Sequence, residues 1–366
     1  MIYKLGQVCS RLSSGKSISS KLISSKGTFP VYGGNGLRGY TEKYNFDGEC
    51  AIIGRQGAFC GNVRFFSGKA YMTEHAIVVC ADDKNDTRYL AYLLSSLHLG
   101  RLSGQSAQPG LSVKVLSRQE IDLPDLECQK KVSMVLSLLE KKISLNEMIN
   151  RNLSEQAKAL FEEELLKFDS VPEGWKKGSL SDIADYLNGL AMQKFRPGDD
   201  EKGLPVLKIK ELRQGSCDAN SELCSLNIKP EYIIHDGDVI FSWSGSLLVD
   251  FWCGGECGLN QHLFKVTSKK YDKWFYYAWT LYHLDRFIAV AADKATTMGH
   301  IKREELSKAE VVIPDSDSYK RIGEVLGPLY DMIISNRVEN RRLVTLRDEL
   351  LPMLMSGEMD VSEVEL

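Results

Sequence analysis

The chain has 366 residues, enough for two domains of ordinary size, and its 43% hydrophobic content is that of a folded protein, not of a disordered or fibrous one. No run of about 18 apolar residues could span a bilayer. The N-terminal MIYKLGQVCSRL lacks the apolar core of a signal peptide, so the chain is expected in the cytoplasm. The net charge of −3 argues at first against a polyanionic partner, but the charge is uneven: residues 1–125 carry 15 Lys and Arg against 10 Asp and Glu, whereas residues 315–366 carry 6 against 11. Nine cysteines at irregular spacings fit free thiols in a reducing compartment better than a disulfide framework.

Residues 1–125 read as a globular domain of short strands punctuated by glycines, among them CAIIG (50–54), NVRFF (62–66) and AIVVC (76–80). RYLAYLLSSL (88–97) has the spacing of an amphipathic helix. Pro124 closes the run IDLPD, and a long helix is predicted over 126–166, followed by a Pro/Gly link at 167–178. Residues 179–314 form a second globular domain with strands DVIFSW (238–243) and HLFKV (262–266). Its aromatic-rich segment KWFYYAWTLYHLDRF (273–287) is predicted to be one amphipathic helix whose rings pack in the core. A second long helix covers 315–358, leaving a tail at 359–366.

The two halves repeat. The seam Leu136, Leu139, Ile143, Asn146, Asn150, Leu153, Ala157, Leu160 recurs 190 residues later as Leu326, Leu329, Ile333, Asn336, Asn340, Leu343, Arg347, Leu350. Leu116 and Pro124 match Leu306 and Pro314, Gly48 matches Gly237, and His75 matches His262. A seam alternating three and four residues needs a partner helix, and the obvious partner is the other copy. The two rods, roughly 50–60 Å long at about 1.5 Å per residue, are predicted to pair antiparallel and hold the domains at opposite ends. Asn146, Asn150, Asn336 and Asn340 occupy seam positions where leucine would pack better; they are predicted to meet near the middle and set the register. The fold class is therefore α+β: two globular domains of mixed strands and short helices, separated by two long helices forming an antiparallel coiled coil with pseudo-two-fold symmetry. Two such modules at a fixed separation suit two short DNA sites with an unread spacer.

Along essentially its whole length the chain resembles the specificity subunits of type I restriction–modification systems. The resemblance is carried by FPVYGGNGLRGY (29–40), AIIGRQGAFCGNVRF (51–65) and GQSAQPGLS (104–112), then by VPEGWKKGSLSDIA (171–184), LPVLKIKELRQG (204–215), FSWSGS (241–246), LNQHLFKV (259–266), TTMGHIKREEL (296–306) and LRDELLPMLMSGE (346–358). It implies two target-recognition domains, 1–125 and 179–314, each reading half of a split double-stranded DNA sequence, with spacer helices at 126–166 and 315–358. It also implies partners: two modification subunits that methylate adenine, and ATP-dependent restriction subunits. The chain itself would be non-catalytic and need no cofactor. The unlike motifs of the two halves imply an asymmetric target.

Base edges are read by bidentate Arg, Lys, Asn and Gln, and phosphates are held by basic, hydroxyl and backbone N–H groups. In the first domain these residue types sit in glycine-rich loops: Asn35, Arg38, Arg55, Gln56, Ser106 and Gln108. In the second they are Lys208, Lys210, Arg213, Trp243, Ser244, Ser246, Asn260, Gln261 and Lys302. Trp243 is ambiguous, since tryptophan is more often a core anchor, and the matched positions of His75 and His262 favour a shared structural role. SRLSSGKS (10–17) only approximates a phosphate loop, since Ser10 stands where its first glycine belongs. Cys253, Cys257 and His262 lack the second ligand pair of a zinc site. No N-P-P or D-P-P core of an adenine methyltransferase occurs, which weighs against an enzyme. A coiled-coil scaffold that binds only proteins, and a subunit of a methyltransferase-only or orphan system, remain as alternatives.

Overall fold

The computed structural model describes residues 1–103, 110–293 and 301–365. The chain divides into two compact units, Met1–Lys141 with Val344–Leu366, and Lys142–Leu343. In chain order, β1 (Ile2–Lys4), β2 (Cys9–Ser14), β3 (Phe29–Gly33), β4 (Gly36–Thr41), β5 (Phe46–Gly54), β6 (Val63–Met72) and β7 (Ala76–Ala81) come first. They are followed by α1 (Thr87–Ser96), α2 (Val113–Leu116), β8 (Glu120–Asp122) and the 40-residue α3 (Leu126–Leu165).

The first unit is built on a six-stranded sheet of order β2-β7-β5-β6-β3-β4, with β1 paired to β8 beside it. Strand alternation sends Ala51, Ile53, Ile77 and Val79 into one core with Tyr89, Leu90 and Leu94 of α1. Cys50, Ile52, Ala76 and Val78 point into a second core with Phe46 and Met72. Both faces of β5 and β7 are covered, which is why these strands read as unbroken apolar runs. Asp86 caps α1: its Oδ1 accepts from the Tyr89 N–H (2.7 Å) and from the Ser133 hydroxyl (2.6 Å). The Asp86 N–H donates to Gln129 Oε1 (2.9 Å), so buried polar groups of α3 tie the helix to the domain.

The second unit follows with β9 (Lys176–Ser179), α4 (Leu180–Ile183), β10 (Asp185–Asn188), β11 (Leu204–Leu207), α5 (Ile209–Gln214), β12 (Leu223–Cys224), β13 (Ile233–Ile234), β14 (Val239–Ser242), β15 (Leu248–Phe251), β16 (Cys257–Leu259) and β17 (Leu263–Thr267). The chain then forms α6 (Lys273–Tyr282), α7 (Leu284–Asp293), α8 (Glu304–Ser307), β18 (Glu310–Ile313) and the 41-residue α9 (Ser316–Ser356). The sheet β10-β17-β14-β15 repeats β2-β7-β5-β6, and β9 pairs with β18 as β1 does with β8. The parallel pairing of β11 with β16 (Val206↔Gly258) repeats that of β3 with the end of β6 (Val31↔Tyr71). The halves diverge where the single strand β6 is replaced by β15 and β16, interrupted between Phe251 and Cys257. β12, β11, β16 and β13 consequently form a separate four-stranded sheet.

The aromatic segment is two helices, not the single one expected. The break falls at His283, whose Nε2 bonds the Glu310 carbonyl (2.8 Å). Its rings are core as expected: Trp274, Phe275, Tyr277 and Trp279 are buried. The long helices start on matched caps, Asp125 accepting from the Cys128 N–H (2.9 Å) and Asp315 from the Ser318 N–H (2.8 Å).

Within the second unit α3 and α9 run antiparallel, and the seam asparagines meet. Asn146 Nδ2 donates to Asn340 Oδ1 (2.8 Å), and Asn336 Nδ2 to Asn150 Oδ1 (2.8 Å). Asn150 Nδ2 donates to the Ile333 carbonyl (3.2 Å) and Asn340 Nδ2 to that of Ile143 (3.2 Å). A shift of 190 residues exchanges each pair of bonds, so the repeat is written into the network as a local two-fold. The symmetry ends at Glu339, which accepts from Asn146 (2.6 Å) and pairs with Lys142 (3.2 Å), holding its carboxyl below the usual range. The counterparts of Glu339 and Lys142 are the exposed Ile149 and Met332.

Candidate nucleic-acid interface

Three turns gather at one end of the first domain's sheet: Gly33–Gly36 between β3 and β4, Arg55–Asn62 between β5 and β6, and Thr73–His75 between β6 and β7. Backbone bonds join them. The Arg55 N–H donates to the His75 carbonyl (3.0 Å), the Thr73 N–H to Tyr32 (2.9 Å), and the Leu111 N–H to Arg55 (2.8 Å). Only glycine fits at residue 54, where a Cβ would stand 2.2 Å from the Phe59 carbonyl oxygen and 2.6 Å from that of Gly34.

Asn35 and Gln56 are exposed on these turns and Arg38 is exposed on β4 next to them, and Arg55 is half-buried with its guanidinium donating to the Glu74 carbonyl (3.3 Å). His75 Nδ1 lies 3.1 Å from Gln56 Oε1 and therefore donates to it, while its Nε2 lies 3.6 Å from Glu74 Oε1. Thr73 Oγ1 and Glu74 Oε2 are buried with no hydrogen-bond partner among the described residues. Glu74 was passed over in the sequence, although it directly precedes the matched histidine. Ser106 and Gln108 lie outside the described residues.

In the second domain the β14–β15 turn brings Trp243, Ser244 and Ser246 to the β16–β17 turn, which carries Asn260, Gln261 and His262. Ser244 Oγ lies 3.0 Å from His262 Nδ1, Gln261 Nε2 3.3 Å from His262 Nε2, and Asn260 Oδ1 accepts from the His262 N–H (3.3 Å). Ser244 and Asn260 are thus buried supports of the turn, whereas Ser246 is exposed. Trp243 is half-buried, stacks on Phe264 (5.7 Å) and donates from Nε1 to Asn188 Oδ1 (3.0 Å). With Lys302 and Arg303 it lines a cavity of about 390 Å³. Arg303, which the sequence reading missed, lies 5.5 Å over the Phe264 ring and donates to the Tyr186 carbonyl (2.9 Å). Lys208 is paired with Glu222 (2.6 Å) and Lys210 with Asp218 (3.4 Å), so much of their charge is already answered. Arg213 is exposed on α5 with no ion pair among the described residues.

The two turns correspond in detail. Gln56 and Ser244 each precede a glycine in the left-handed region, Gly57 (φ 79°) and Gly245 (φ 65°), and each is held by the Nδ1 of the matched histidine. That geometry gives His75 and His262 a shared positioning role. SRLSSGKS runs along β2, which Gly15 ends by packing against the Met72 carbonyl, so it is no strand-to-helix phosphate loop. Burial raises the thiol of Cys253 to about 11, and no group of three or more His, Cys, Asp or Glu is placed to hold a metal among the described residues. No helix among them is long and apolar enough to cross a membrane.

The sequence model of one family, the type I restriction modification DNA specificity domain, matches residues 1–155 and again 172–343. The type I restriction enzyme EcoprrI specificity subunit of Escherichia coli is 40% identical over 108 residues, 30% of this chain and 27% of that protein. The MjaIX specificity subunit of Methanocaldococcus jannaschii is 27% identical over 312 residues, 76% of this chain and 70% of that protein. The crystal structure of a type I restriction–modification S subunit from M. genitalium has the same fold, with a TM-score of 0.67 at 14% identity, covering 97% of this chain and 95% of that one. With both halves matched in order by the same domain, the chain belongs to the family of type I restriction–modification DNA specificity proteins.

Proposed function

We propose that the chain is the DNA-recognition subunit of a type I restriction–modification complex and reads a bipartite, asymmetric double-stranded target. The observation that carries this reading is the pair of corresponding turn clusters, one in each domain. The same glycine and histidine frame presents different polar groups: Asn35, Arg38 and Gln56 in the first, Ser246, Gln261 and Lys302 in the second. A common frame with unlike tips suits two readers of unlike half-sites. The long helices set the spacer between half-sites and dock two modification subunits. Those subunits methylate adenine, restriction subunits cut, and this chain contributes no catalytic group. The cytoplasm, where DNA and these partners meet, is its place of action.

The test is to map methylated adenines in cells that co-express the chain with its cognate modification subunits. A split motif with an unread spacer is expected. A continuous motif would refute two readers, and methylation by the chain alone would refute a non-catalytic role.

A further inference from the structure

In the second domain the β16–β17 turn is held from both sides. The Leu263 N–H donates to the Asn260 carbonyl (3.0 Å) and closes the turn, while the Asn260 N–H donates to the Leu207 carbonyl (3.2 Å). Asn260 is buried and its Oδ1 accepts from the His262 N–H (3.3 Å). Gln261 and His262 therefore form the tip of a closed four-residue turn, and the freedom that remains at the tip belongs to their side chains.

Each ring nitrogen of His262 meets one side chain. Nδ1 lies 3.0 Å from Ser244 Oγ, and Nε2 lies 3.3 Å from Gln261 Nε2. An amide nitrogen only donates, so His262 Nε2 accepts and the ring proton sits on Nδ1, facing Ser244. Gln261 is left with its second N–H and with Oε1, which has no partner among the described residues and is open to solvent. One donor and one acceptor on a single planar amide match adenine in the major groove, whose N7 accepts and whose N6 donates. Gln56 in the first domain is held by the same tautomer of His75, but through its oxygen (3.1 Å), so its amino group faces outward and offers donors. The matched histidines thus turn the two glutamine amides opposite ways.

We infer that Gln261 reads an adenine of the second half-site and that His262 is the positioning residue that orients its amide. The inference rests on the DNA-reading proposal above, and adds to it one base and the side chain that selects it.

The test uses the full chain, co-purified with its modification subunits, and duplexes built on the mapped target. Adenines of the second half-site are replaced one at a time, by 7-deazaadenine to remove N7 and by purine to remove the N6 amine. One position is expected where each analogue weakens binding. Gln261→Ala should lower discrimination at that position by roughly 10- to 100-fold and leave the analogues without further effect there. His262→Ala should lose discrimination at the same position, whereas His262→Gln, whose amide reaches the place of Nε2 and accepts from Gln261, should keep most of it. A half-site with no adenine that depends on Gln261 overturns the inference. So does a guanine or thymine that depends on it, because the amide would then be turned over. Full discrimination in His262→Ala overturns the positioning role, and equal loss by the variants on a duplex of unrelated sequence would reduce both residues to general supports of the fold. The analogue series on the unsubstituted complex decides the adenine contact even where a variant fails to assemble. If the mapped motif is continuous yet one adenine in it depends on Gln261, the adenine contact stands and the half-site reading falls.

Discussion

Replacing Asn150 with leucine puts the helix pairing to a quantitative test. Asn150 accepts from Asn336 and donates to the Ile333 carbonyl, and all of this lies in a seam where Asn150 and Asn336 are less than a tenth exposed. The Ile333 carbonyl keeps its place in the helix ladder, so the main loss is the 2.8 Å bond and the burial of an amide on Asn336 with nothing to donate to. A hydrogen bond of this kind is worth about 1 kcal/mol net, and stranding a buried donor costs a further ~1–3 kcal/mol. The single variant should therefore lose about 2–4 kcal/mol. At about 2–4 °C per kcal/mol for a body of this size, the unfolding of the second unit should shift down by roughly 4–16 °C. Asn150→Leu with Asn336→Leu removes both partners of that bond, leaves an apolar layer, and should recover most of the loss. Differential scanning calorimetry of the four members of the cycle measures the coupling. A single variant within about 0.5 kcal/mol of the parent, or a double variant as unstable as the two losses added, would refute the view that the pair is a buried mutual bond.

Other expectations follow from the same geometry. Gly54→Ala must push apart the Phe59 and Gly34 carbonyls, so methylation mapping should show the first half-site lost or relaxed while the second is kept; equal damage to both would count against separate readers. His283 is buried and its pKa is lowered by that burial, so the folded state resists protonating it. Its contribution to stability is full above the unfolded value of about 6.5 and declines as pH falls from there toward the depressed folded value. His283→Gln should flatten that part of the stability–pH curve, and an unaltered curve would remove His283 as its source. Deleting one heptad from each long helix should change the length of the unread spacer in the methylation motif and leave both half-sites as they were; a change in half-site identity would overturn the assignment of spacing to the helices.

Much of the architecture was legible because it is written twice. The seam at three and four spacing, the Pro-Asp pairs at 124–125 and 314–315, and the matched Gly48 and Gly237 are local patterns, and local patterns survive in a linear reading. The site was less legible. Ser244 and Asn260 have the residue types of base readers, yet folding turns them inward to brace His262. Lys208 and Lys210 look like free cations until the chain returns with Glu222 and Asp218. Glu74 carried no motif at all, and Arg303, although inside TTMGHIKREEL, takes its place over the Phe264 ring only through folding.

What the sequence determined alone is the duplication, the two long helices and the kind of residue at the tips of the turns, since these follow from periodicity and from glycine and proline chemistry. What tertiary structure decided is which polar groups are already satisfied and which are left open. Lys208 meets Glu222 only because the chain turns back after α5, and Asn146 finds Asn340 only because the helices run antiparallel. Hydrogen bonds and ion pairs act over a few ångströms in space, and separation along the chain does not report that distance.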